Sequence, residues 1–309
     1  MTLSAIDMGA LAARLATLDE IKGRSLWSDA QTRFARNKAA VFGLILLAIC
    51  VFFALFGQFL TPHTYDFTDF TIMGHAAELG APSWSNGYYF GSDDLGRDLF
   101  ARAAMGTRIS LLVGVIGTAI AVSAGTLYGA VSGYIGGRTD NLMMRAVDIL
   151  LSIPFMFVII LFLVIFGKSL TVLYLAIGFL SWPAMARIVR GQTLSLKSRE
   201  FIEAARATGV PTWRIILRHI VPNLLGLVAV YATLLVPDII LTESFISFLG
   251  LGVQEPQTSL GELISEGAKT IRYGTLWQLA FPMLFFMMTM FAFYFVGDGL
   301  RDALDPKDR

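Results

Sequence analysis

The sequence has few of the residues on which soluble proteins and most enzyme sites depend. Lysine, arginine, aspartate and glutamate make up 15% of the 309 residues, against roughly 25% in typical soluble domains. The only cysteine, Cys50, lies in an apolar run, which excludes a disulfide framework. The histidines, His63, His75 and His219, are scattered, and none has the HExxH spacing of a zinc protease. A formal net charge of +1 gives no reason to expect nucleic-acid binding.

Long apolar runs are what the sequence has instead. Apolar residues make up 55% of the chain, and its mean hydropathy is +0.66. A helix of about 20 apolar residues crosses a bilayer with every backbone polar group paired internally. Six runs approach or exceed that length: Ala39 to Leu60, Ile109 to Ile135, Leu150 to Phe166, Leu170 to Ala186, Leu224 to Leu251 and Leu276 to Val296. The sequence therefore predicts an all-α integral membrane protein with about six transmembrane helices.

Prolines fall within four of these runs. Pro154 interrupts the third, which we expect to extend backward as a helix from Asn141. Pro183, Pro237 and Pro282 lie inside later runs. Membrane bundles tolerate such prolines because neighbouring groups satisfy the freed carbonyls.

The distribution of basic residues predicts the orientation. Arg33, Arg36 and Lys38 precede the first run, which is too long for a signal peptide, and should hold the N-terminus in the cytoplasm. Six spans then return the C-terminus to that side. Only six of the 24 basic residues would lie outside: Arg97, Arg102, Arg108, Lys168, Lys269 and Arg272. The predicted segments are 1–38 (cytoplasmic), 39–60 (first span), 61–108 (outer, with a surface helix), 109–300 (membrane core, with a cytoplasmic loop at 187–218) and 301–309 (cytoplasmic tail).

The surface helix is predicted between Ser92 and Gly106. Ser92 is a favourable N-cap residue. Asp93 with Arg97, and Asp98 with Arg102, have the i, i+4 spacing of acid–base pairs on a helix. We therefore expect a short, internally neutralised helix on the outer surface before the second span.

Small residues recur at every fourth position of the second run. They are Gly117, Ala121, Gly125, Gly129, Gly133 and Gly137. On a helix they form one slowly drifting stripe along which another helix backbone can approach closely. The pattern predicts tight helix packing and leaves open whether the partner helix belongs to this chain or to another subunit.

The loop from Arg187 to Arg218 is basic yet contains helix signals. Glu200 to Thr208 has good helix formers, Gly209 can close the helix in the left-handed conformation, and Pro211 prevents its continuation. A second amphipathic stretch, Thr212 to Ile220, follows. The apolar side of the first helix comprises Phe201, Ile202, Ala204 and Ala205. It would lie on the lipid surface or dock into a groove of a cytoplasmic partner.

The segment "EAARATG", followed by "HIVPN", resembles the EAA loop of permease subunits in bacterial ATP-binding-cassette importers. The matching residues are Glu203, Ala204, Ala205, Gly209 and Pro222. The sequence departs from the pattern at His219, where the family has isoleucine, and conservatively at Val221.

The resemblance extends over most of the chain. "GYIGGRTDNLMMRAVDILLSIP" and "ESFISFLGLGVQEPQTSLGELI" look like the C-type permease subunit of peptide importers, and the closing "DALDPKDR" is closest to the oligopeptide branch. The resemblance implies the permease fold of type I importers in the bacterial inner membrane, with both termini cytoplasmic and no catalytic activity of its own.

The resemblance also implies a set of partners. A second permease subunit of similar fold would share the pathway, two cytoplasmic ATPases would dock on the coupling loops, and a periplasmic binding protein would deliver peptide. No cofactor is expected on this chain; ATP and Mg would be bound by the ATPases. Glu203 to Gly209 would be the coupling helix.

Two acids in the fifth run keep an ion-coupled peptide carrier as the alternative. Both are candidate pathway residues: Asp238 lies about 21 Å along the helix from Leu224, past the midplane, and Glu243 would lie near the outer interface. Charge within a span is costly. Asp238 therefore either borders a transport pathway, or bonds the backbone loosened by Pro237, or pairs with a neighbouring subunit. No inverted repeat of the kind found in carriers is apparent.

A membrane enzyme is not supported. Gly167-Lys168-Ser169 imitates the end of a phosphate-binding loop, but Phe162 stands where the first glycine is required. An apolar span precedes it, rather than the strand, loop and helix of a nucleotide site.

Overall fold

The computed structural model describes residues 26–304. Over these residues the chain is mainly helical, and strand pairing is limited to three isolated β-bridges. The predicted cytoplasmic segment before residue 26 and the tail after residue 304 lie outside the described residues. So do five of the basic residues assigned to the cytoplasmic side: Arg14, Lys22, Arg24, Lys307 and Arg309.

The helices follow one another with mostly short connections; the longest lie on either side of α3, at 57–75 and 80–98. They are α1 (Leu26–Arg36), α2 (Lys38–Phe56), α3 (Ala76–Leu79), α4 (Leu99–Ile135), α5 (Gly137–Ser152), α6 (Phe155–Phe166), α7 (Leu170–Lys197), α8 (Glu200–Ala207), α9 (Thr212–Ile215), α10 (Val221–Phe248), α11 (Leu260–Thr270) and α12 (Leu276–Leu304). Short 3-10 segments lie at Gly57–Phe59 and Ile271–Tyr273, and a π turn at Ile216–Ile220 joins α9 to α10.

Five segments in the described part of the chain are long and apolar enough to cross a membrane: α2 with its 3-10 turn, α4, α7, α9 through α10, and α12. The pair α5 and α6, bent by 80° at Pro154, makes a sixth if it counts as one span. The prediction of about six transmembrane helices is confirmed. Pro183, Pro237 and Pro282 lie inside continuous helices, as membrane bundles permit.

Side-chain caps set where several helices begin. The carboxamide oxygen of Asn37 accepts from the N–H groups of Ala39 and Ala40, at 3.1 and 3.2 Å, and starts α2. Asp98 accepts from the Phe100 N–H at 3.0 Å and starts α4. Caps of this kind satisfy backbone donors that the first turn of a helix leaves free.

The predicted surface helix from Ser92 to Gly106 is wrong. Residues 92–98 form turns and isolated bridges, and the helix begins at Leu99 and continues directly into the second span. The Asp93 carboxylate accepts from the Leu95 N–H at 2.9 Å, and Gly96 has a positive φ of 74°. A side-chain-closed turn followed by a left-handed residue excludes a helix at that point.

The glycine stripe of α4 faces α7 of the same chain. A Cβ built on Gly125 would come 2.7 Å from the Trp182 carbonyl oxygen, and one on Gly133 would come 2.9 Å from that of Arg190. A Cβ on Gly129 would overlap the carbonyl of Ala186. These backbones therefore touch without side chains between them.

The ends of the stripe are placed differently. Gly117 lies beside Ile239 of α10 and near Gly178 of α7, and Ala121 is fully buried. Gly137 does not share the contact, because it stands beyond the end of α4 at a φ of 61°, with nothing within 4 Å of a built Cβ. The break at Gly136, also at positive φ, turns the chain into α5 before the stripe can continue.

Two ends of the helix bundle carry the features of functional interest. At one, here called the α11 end, the 57–98 segment and α11 pack on the start of α12; the Gln278 side chain donates to the Ser92 carbonyl at 3.0 Å. At the opposite end, the α8 end, α8 packs against α4, α7 and α10 in one buried cluster.

Candidate functional site

The short helix α8 ends with a complete Schellman motif. The Val210 N–H donates to the Ala205 carbonyl and the Gly209 N–H to the Arg206 carbonyl, both at 3.1 Å. Gly209 has a φ of 77°. This is the pattern of bonds that satisfies the last carbonyls of a helix when a left-handed residue follows it. The predicted helix and its closure by Gly209 are confirmed.

The apolar side of α8 is divided between the interior and the surface. Ile202 is fully buried and Ala205 nearly so, in a cluster with Met185, Val189 and Ile216. The expectation that this side has only lipid or a partner to cover it is therefore wrong for these two residues, because the chain itself covers them. Since α8 is short, sequence spacing could not show which of its apolar residues the spans would reach.

The other side of α8 is exposed and mixed in character. We call it the α8 surface and define it by Phe201, Glu203, Ala204, Arg206 and Trp213 of the following turn. All five are exposed, Trp213 at 58% of its area. The buried side of the helix is fixed by packing, and the exposed side presents aromatic residues beside charged ones. Aromatic residues of this kind are frequent anchors in protein–protein interfaces.

Two cations lie over the ring of Tyr134 near the end of α4: Arg206 from the α8 surface and Lys197 from the end of α7. The guanidinium of Arg206 lies over the ring of Tyr134 at 5.5 Å, and the Lys197 ammonium lies 5.9 Å from the same ring. Tyr134 is itself buried. Cation–π contacts of this kind contribute about 0.5–1 kcal/mol at exposed sites, so they add to the attachment of α8 without determining it.

An ion pair that the sequence did not reveal joins three helices at the α8 end. Arg190 of α7 binds the Asp140 carboxylate through two atoms, at 2.7 and 2.6 Å, and the Ser132 hydroxyl donates to Asp140 at 2.6 Å. Two-point contacts of this type are the stronger and more directional ion pairs. Because Asp140 and Arg190 are 50 residues apart, no local spacing could have identified them.

Pro222 completes the residues that match the loop pattern. It lies exposed at the start of α10, after the π turn. Glu203, Ala204, Ala205, Gly209 and Pro222 thus occupy one continuous structural unit from α8 to the start of α10. Their part in coupling stays a prediction.

Glu243 has a different environment from the interfacial one predicted. It is fully buried, and its carboxylate accepts from the hydroxyls of Ser110 (3.0 Å), Ser247 (2.6 Å) and Ser244 (3.3 Å). The Ser110 oxygen also accepts from the Leu260 N–H at 3.3 Å. Depth along a helix does not reveal which face a residue occupies, and here that face meets α4 and α11. Glu243 therefore connects helices within this chain.

Asp238 is exposed on α10. Its polar neighbour is Tyr294 of α12. Within residues 26–304 it makes no ion pair, and no bond from its carboxylate to the backbone near Pro237 is found. Within the described residues, Asp238 is thus a carboxylate on the outside of a span that has Tyr294 as a polar partner but no ion-pair partner. Its contact with a pathway stays a prediction.

A buried ion cluster occupies the α11 end. Arg97 binds Asp93 at 2.6 Å and Glu255 at 2.8 Å. Arg102, with no exposed side-chain area, binds Glu266 at 3.0 Å and approaches Asp93 at 3.3 Å. The predicted pair of Asp93 with Arg97 is confirmed.

The predicted pair of Asp98 with Arg102 is wrong. Asp98 is the N-cap of α4 and accepts from the Thr61 hydroxyl at 2.5 Å. Arg102 is one turn into that helix, on the side that faces α11, where Glu266 is its partner. The four-residue spacing of Asp98 and Arg102 favoured a pair, but the Asp98 carboxylate instead caps the start of α4 and accepts from Thr61.

At this end of the bundle, burial raises the pKa of some carboxyl groups, whereas nearby arginines lower the pKa of others. The hydrogen bond from Arg97 lowers the pKa of Glu255. Burial raises the pKa of Glu266, an effect that the charge of Arg102 opposes. Burial, followed by the charge of Glu266, raises the pKa of Glu262 to about 7. The cluster borders a cleft of about 190 Å³ between the 93–97 turn, α11 and the start of α12.

Within the described residues, no group of three or more histidine, cysteine, aspartate or glutamate side chains is arranged to hold a metal. The side chains at the α8 end are suited to holding a protein surface, and those at the α11 end to fixing loops.

The chain matches two protein families. Residues 125–309 match the inner membrane component of binding-protein-dependent transport systems. Residues 25–78 match the N-terminal transmembrane domain of oligopeptide transport permease C.

Curated relatives align over nearly the whole chain. The oligopeptide transport system permease protein OppC of Haemophilus influenzae is 55% identical over 94% of this chain and 91% of its own length. OppC of Escherichia coli K12 is 54% identical over 94% of each chain. The dipeptide transport system permease protein DppC of Bacillus subtilis is 43% identical over 94% of this chain and 89% of its own.

A solved structure of the MetNI methionine ABC transporter, in inward-facing form, contains a chain of the same fold. The TM-score is 0.52 at 18% identity, covering 64% of this chain and 94% of that one. At this identity the likeness bears on the fold alone.

Proposed function

The chain belongs to the inner-membrane permease family of binding-protein-dependent transport systems, and from that premise we propose that it is the C-type permease subunit of an ATP-driven importer of oligopeptides. The observation that carries the proposal is 55% identity to an oligopeptide permease over 94% of the chain. OppC and DppC of Bacillus subtilis are both 43% identical to this chain, so the oligopeptide branch is supported instead by the match of residues 25–78 to the N-terminal domain of oligopeptide transport permease C. The family is a non-catalytic, multi-pass component of the inner membrane.

We propose that the α8 surface is where a separate ATPase docks. Ile202 and Ala205 fix one side of α8 to the spans, while Phe201 and Trp213 remain free on the other. A short helix held rigidly to two spans can pass on a rigid-body shift that a flexible loop would absorb. In this proposal Glu203, Ala204, Ala205, Gly209 and Pro222 couple ATP hydrolysis to transport.

The other components follow from this role. A second permease subunit of similar fold would enclose the pathway with this chain, two ATPases carrying ATP and Mg would sit at the α8 end, and a periplasmic binding protein would deliver peptide at the α11 end. The α8 end and both termini would be cytoplasmic. The basic residues of the α8 end support that orientation, because cytoplasmic loops are enriched in lysine and arginine. They are Arg187, Arg190, Lys197, Arg199, Arg206, Arg214 and Arg218.

Asp238 is the residue that we assign to the pathway. An unpaired carboxylate on the outside of a span costs roughly 2.5–3.5 kcal/mol in hydrocarbon, so it should face water or a partner rather than lipid. The Tyr294 hydroxyl beside it adds a second polar group. Family membership favours this importer over an ion-coupled carrier, for which Asp238 would bind the coupling ion.

Purification of the chain from native membranes tests the proposal. We expect a second permease and ATPase subunits to copurify. In vesicles, the complex should transport oligopeptides only when ATP is present on its cytoplasmic face and the binding protein is present on its opposite, periplasmic face. Uptake that follows an ion gradient without ATP hydrolysis would support the carrier instead.

A further inference from the structure

The helical segment after α8 contains a π turn at Ile216–Ile220. There the Val221 N–H donates to the Ile216 carbonyl, five residues back instead of the usual four. The segment from Thr212 to Phe248 is otherwise one continuous helix. Turns of this kind hold one additional residue and occur frequently at functional sites. This one lies between α8 and the long span α10.

Two neighbouring residues account for the turn. Pro222 has no N–H, and in a regular α-helix its ring would collide with the carbonyl of Arg218, four residues back. The Asn223 side-chain amide donates to the His219 carbonyl at 2.6 Å. Pro222 and Asn223 are both exposed, on the side of the helix away from the buried cluster. Their local chemistry thus favours the wider turn.

The turn decides which residues face α8. Ile216, Ile220 and Leu224 lie in the same buried cluster as Ile202 and Ala205 of α8. One residue corresponds to about 100° of rotation on an α-helix. In a regular α-helix Ile216 and Leu224, eight residues apart, would lie about 80° apart around the axis, and the additional residue brings them to within about 20°. The π turn therefore sets the angle at which α8 is held against α10.

We propose that Asn223 is a positioning residue for coupling: its hydrogen bond to the His219 carbonyl holds the π turn and, through it, the orientation of the α8 surface. This rests on the proposed role of α8. Pro222 removes the α-helical bond, and Asn223 supplies a donor within the same turn. Asn223 acts only through α8, so its loss should alter how ATP hydrolysis is converted into transport.

Two substitutions separate the hydrogen bond from the shape of the side chain. Asn223→Asp keeps the shape, but an ionised carboxylate cannot donate. Asn223→Ser keeps a hydroxyl donor able to reach a carbonyl four residues back. In vesicles with the whole complex, we expect Asn223→Asp to lower peptide uptake per ATP hydrolysed about five-fold, the effect of one lost hydrogen bond, and Asn223→Ser to retain it.

A distance measurement reports the structural change separately from transport. Spin labels are placed at exposed Ala207 on α8 and exposed Ala146 on α5, with buried Cys50 replaced by alanine. The distance should be single and unchanged in Asn223→Ser, but shifted or broadened in Asn223→Asp. Asn223→Ala, which also lacks the donor, replaces Asn223→Asp if that subunit does not assemble.

The outcomes are distinct. Unchanged distance and unchanged uptake per ATP in the variants without a donor would overturn the inference, and so would equal losses with aspartate and serine. Absence of ATP-driven uptake in the wild-type complex would instead contradict the proposed function. The distance measurement would then still decide whether Asn223 holds the turn.

Discussion

The charged residues at the α11 end differ in how far their side chains are buried. Arg102 has no exposed side-chain area and binds Asp93 and Glu266, whereas Glu255, bound to Arg97, is 61% exposed. Loss of one partner from a buried ion pair leaves the other charge uncompensated in a low dielectric. Exposed pairs contribute little because water screens both charges.

Arg102→Met should therefore destabilise the subunit far more than Glu255→Gln. We expect a loss of about 3–5 kcal/mol for the buried arginine and less than about 1 kcal/mol for the exposed glutamate. Thermal unfolding of the purified complex measures both. Similar midpoints for the two variants would show that the cluster does not stabilise this end.

Glu262 makes stability depend on pH near neutrality. Its pKa is about 7, above the ordinary value of 4.5, and one of its oxygens is buried without a hydrogen-bond partner. The folded state therefore holds this proton more tightly than the unfolded state. Its stabilising contribution is complete below about pH 4.5 and is lost as the pH rises through 7.

We expect the wild-type complex to become more stable as the pH falls from 8 to 6, and Glu262→Gln to weaken that dependence. Unfolding midpoints at several pH values in the same detergent provide the measurement. An identical pH profile for wild type and Glu262→Gln would mean that Glu262 is ionised throughout this range.

Residue roles were predictable only where both partners are close in sequence. Asp93 and Arg97, four residues apart, pair as expected. Arg102 binds Glu266, which is 164 residues away, and does not pair with nearby Asp98. Glu243 was expected near the outer interface, but it is fully buried and accepts hydrogen bonds from serines on α4 and α10.

The glycine stripe identifies a close backbone contact between helix α4 and helix α7. Gly125, Gly129 and Gly133 all lie against α7 backbone or Cβ atoms. The stripe was evident in the sequence, whereas the identity of the partner helix was not. The outer helix was mispredicted for a local reason, since the turn closed by Asp93 ends before Leu99.

Gly129→Leu should prevent this approach, because a Cβ there already overlaps the Ala186 carbonyl. We expect loss of folded subunit, or of the permease pair, in detergent. Gly191→Leu on α7 is the matched control, since nothing lies within 4 Å of its built Cβ. Equal yields for the two variants would show that α4 and α7 can separate without consequence.

For the whole molecule, number and order of spans followed from hydropathy, and the structure places them as one bundle with distinct ends. Hydropathy could not show the 80° bend at Pro154 or that the chain would bury half of α8. Both depend on contacts between distant segments.

A pair of reporter fusions tests the proposed orientation. One placed after Arg309 should be cytoplasmic, and one placed at exposed Glu78 in the short helix α3 should be outside. Six spans and the bias of basic residues toward the α8 end require opposite sides. Detection of both reporters on the same side would contradict the six-span topology.

The central claim, that α8 couples a separate ATPase to peptide transport, is tested most directly by measuring uptake and ATP hydrolysis together in vesicles with the whole complex. Gly209→Val places a β-branched residue at a φ of 77°, which it tolerates poorly, while Gly191→Val lies in open space within a helix. We expect Gly209→Val and Glu203→Lys to insert normally, leave peptide binding to the external receptor intact and abolish ATP-driven uptake, with Gly191→Val unchanged. Wild-type uptake per ATP in both Gly209→Val and Glu203→Lys would contradict the claim.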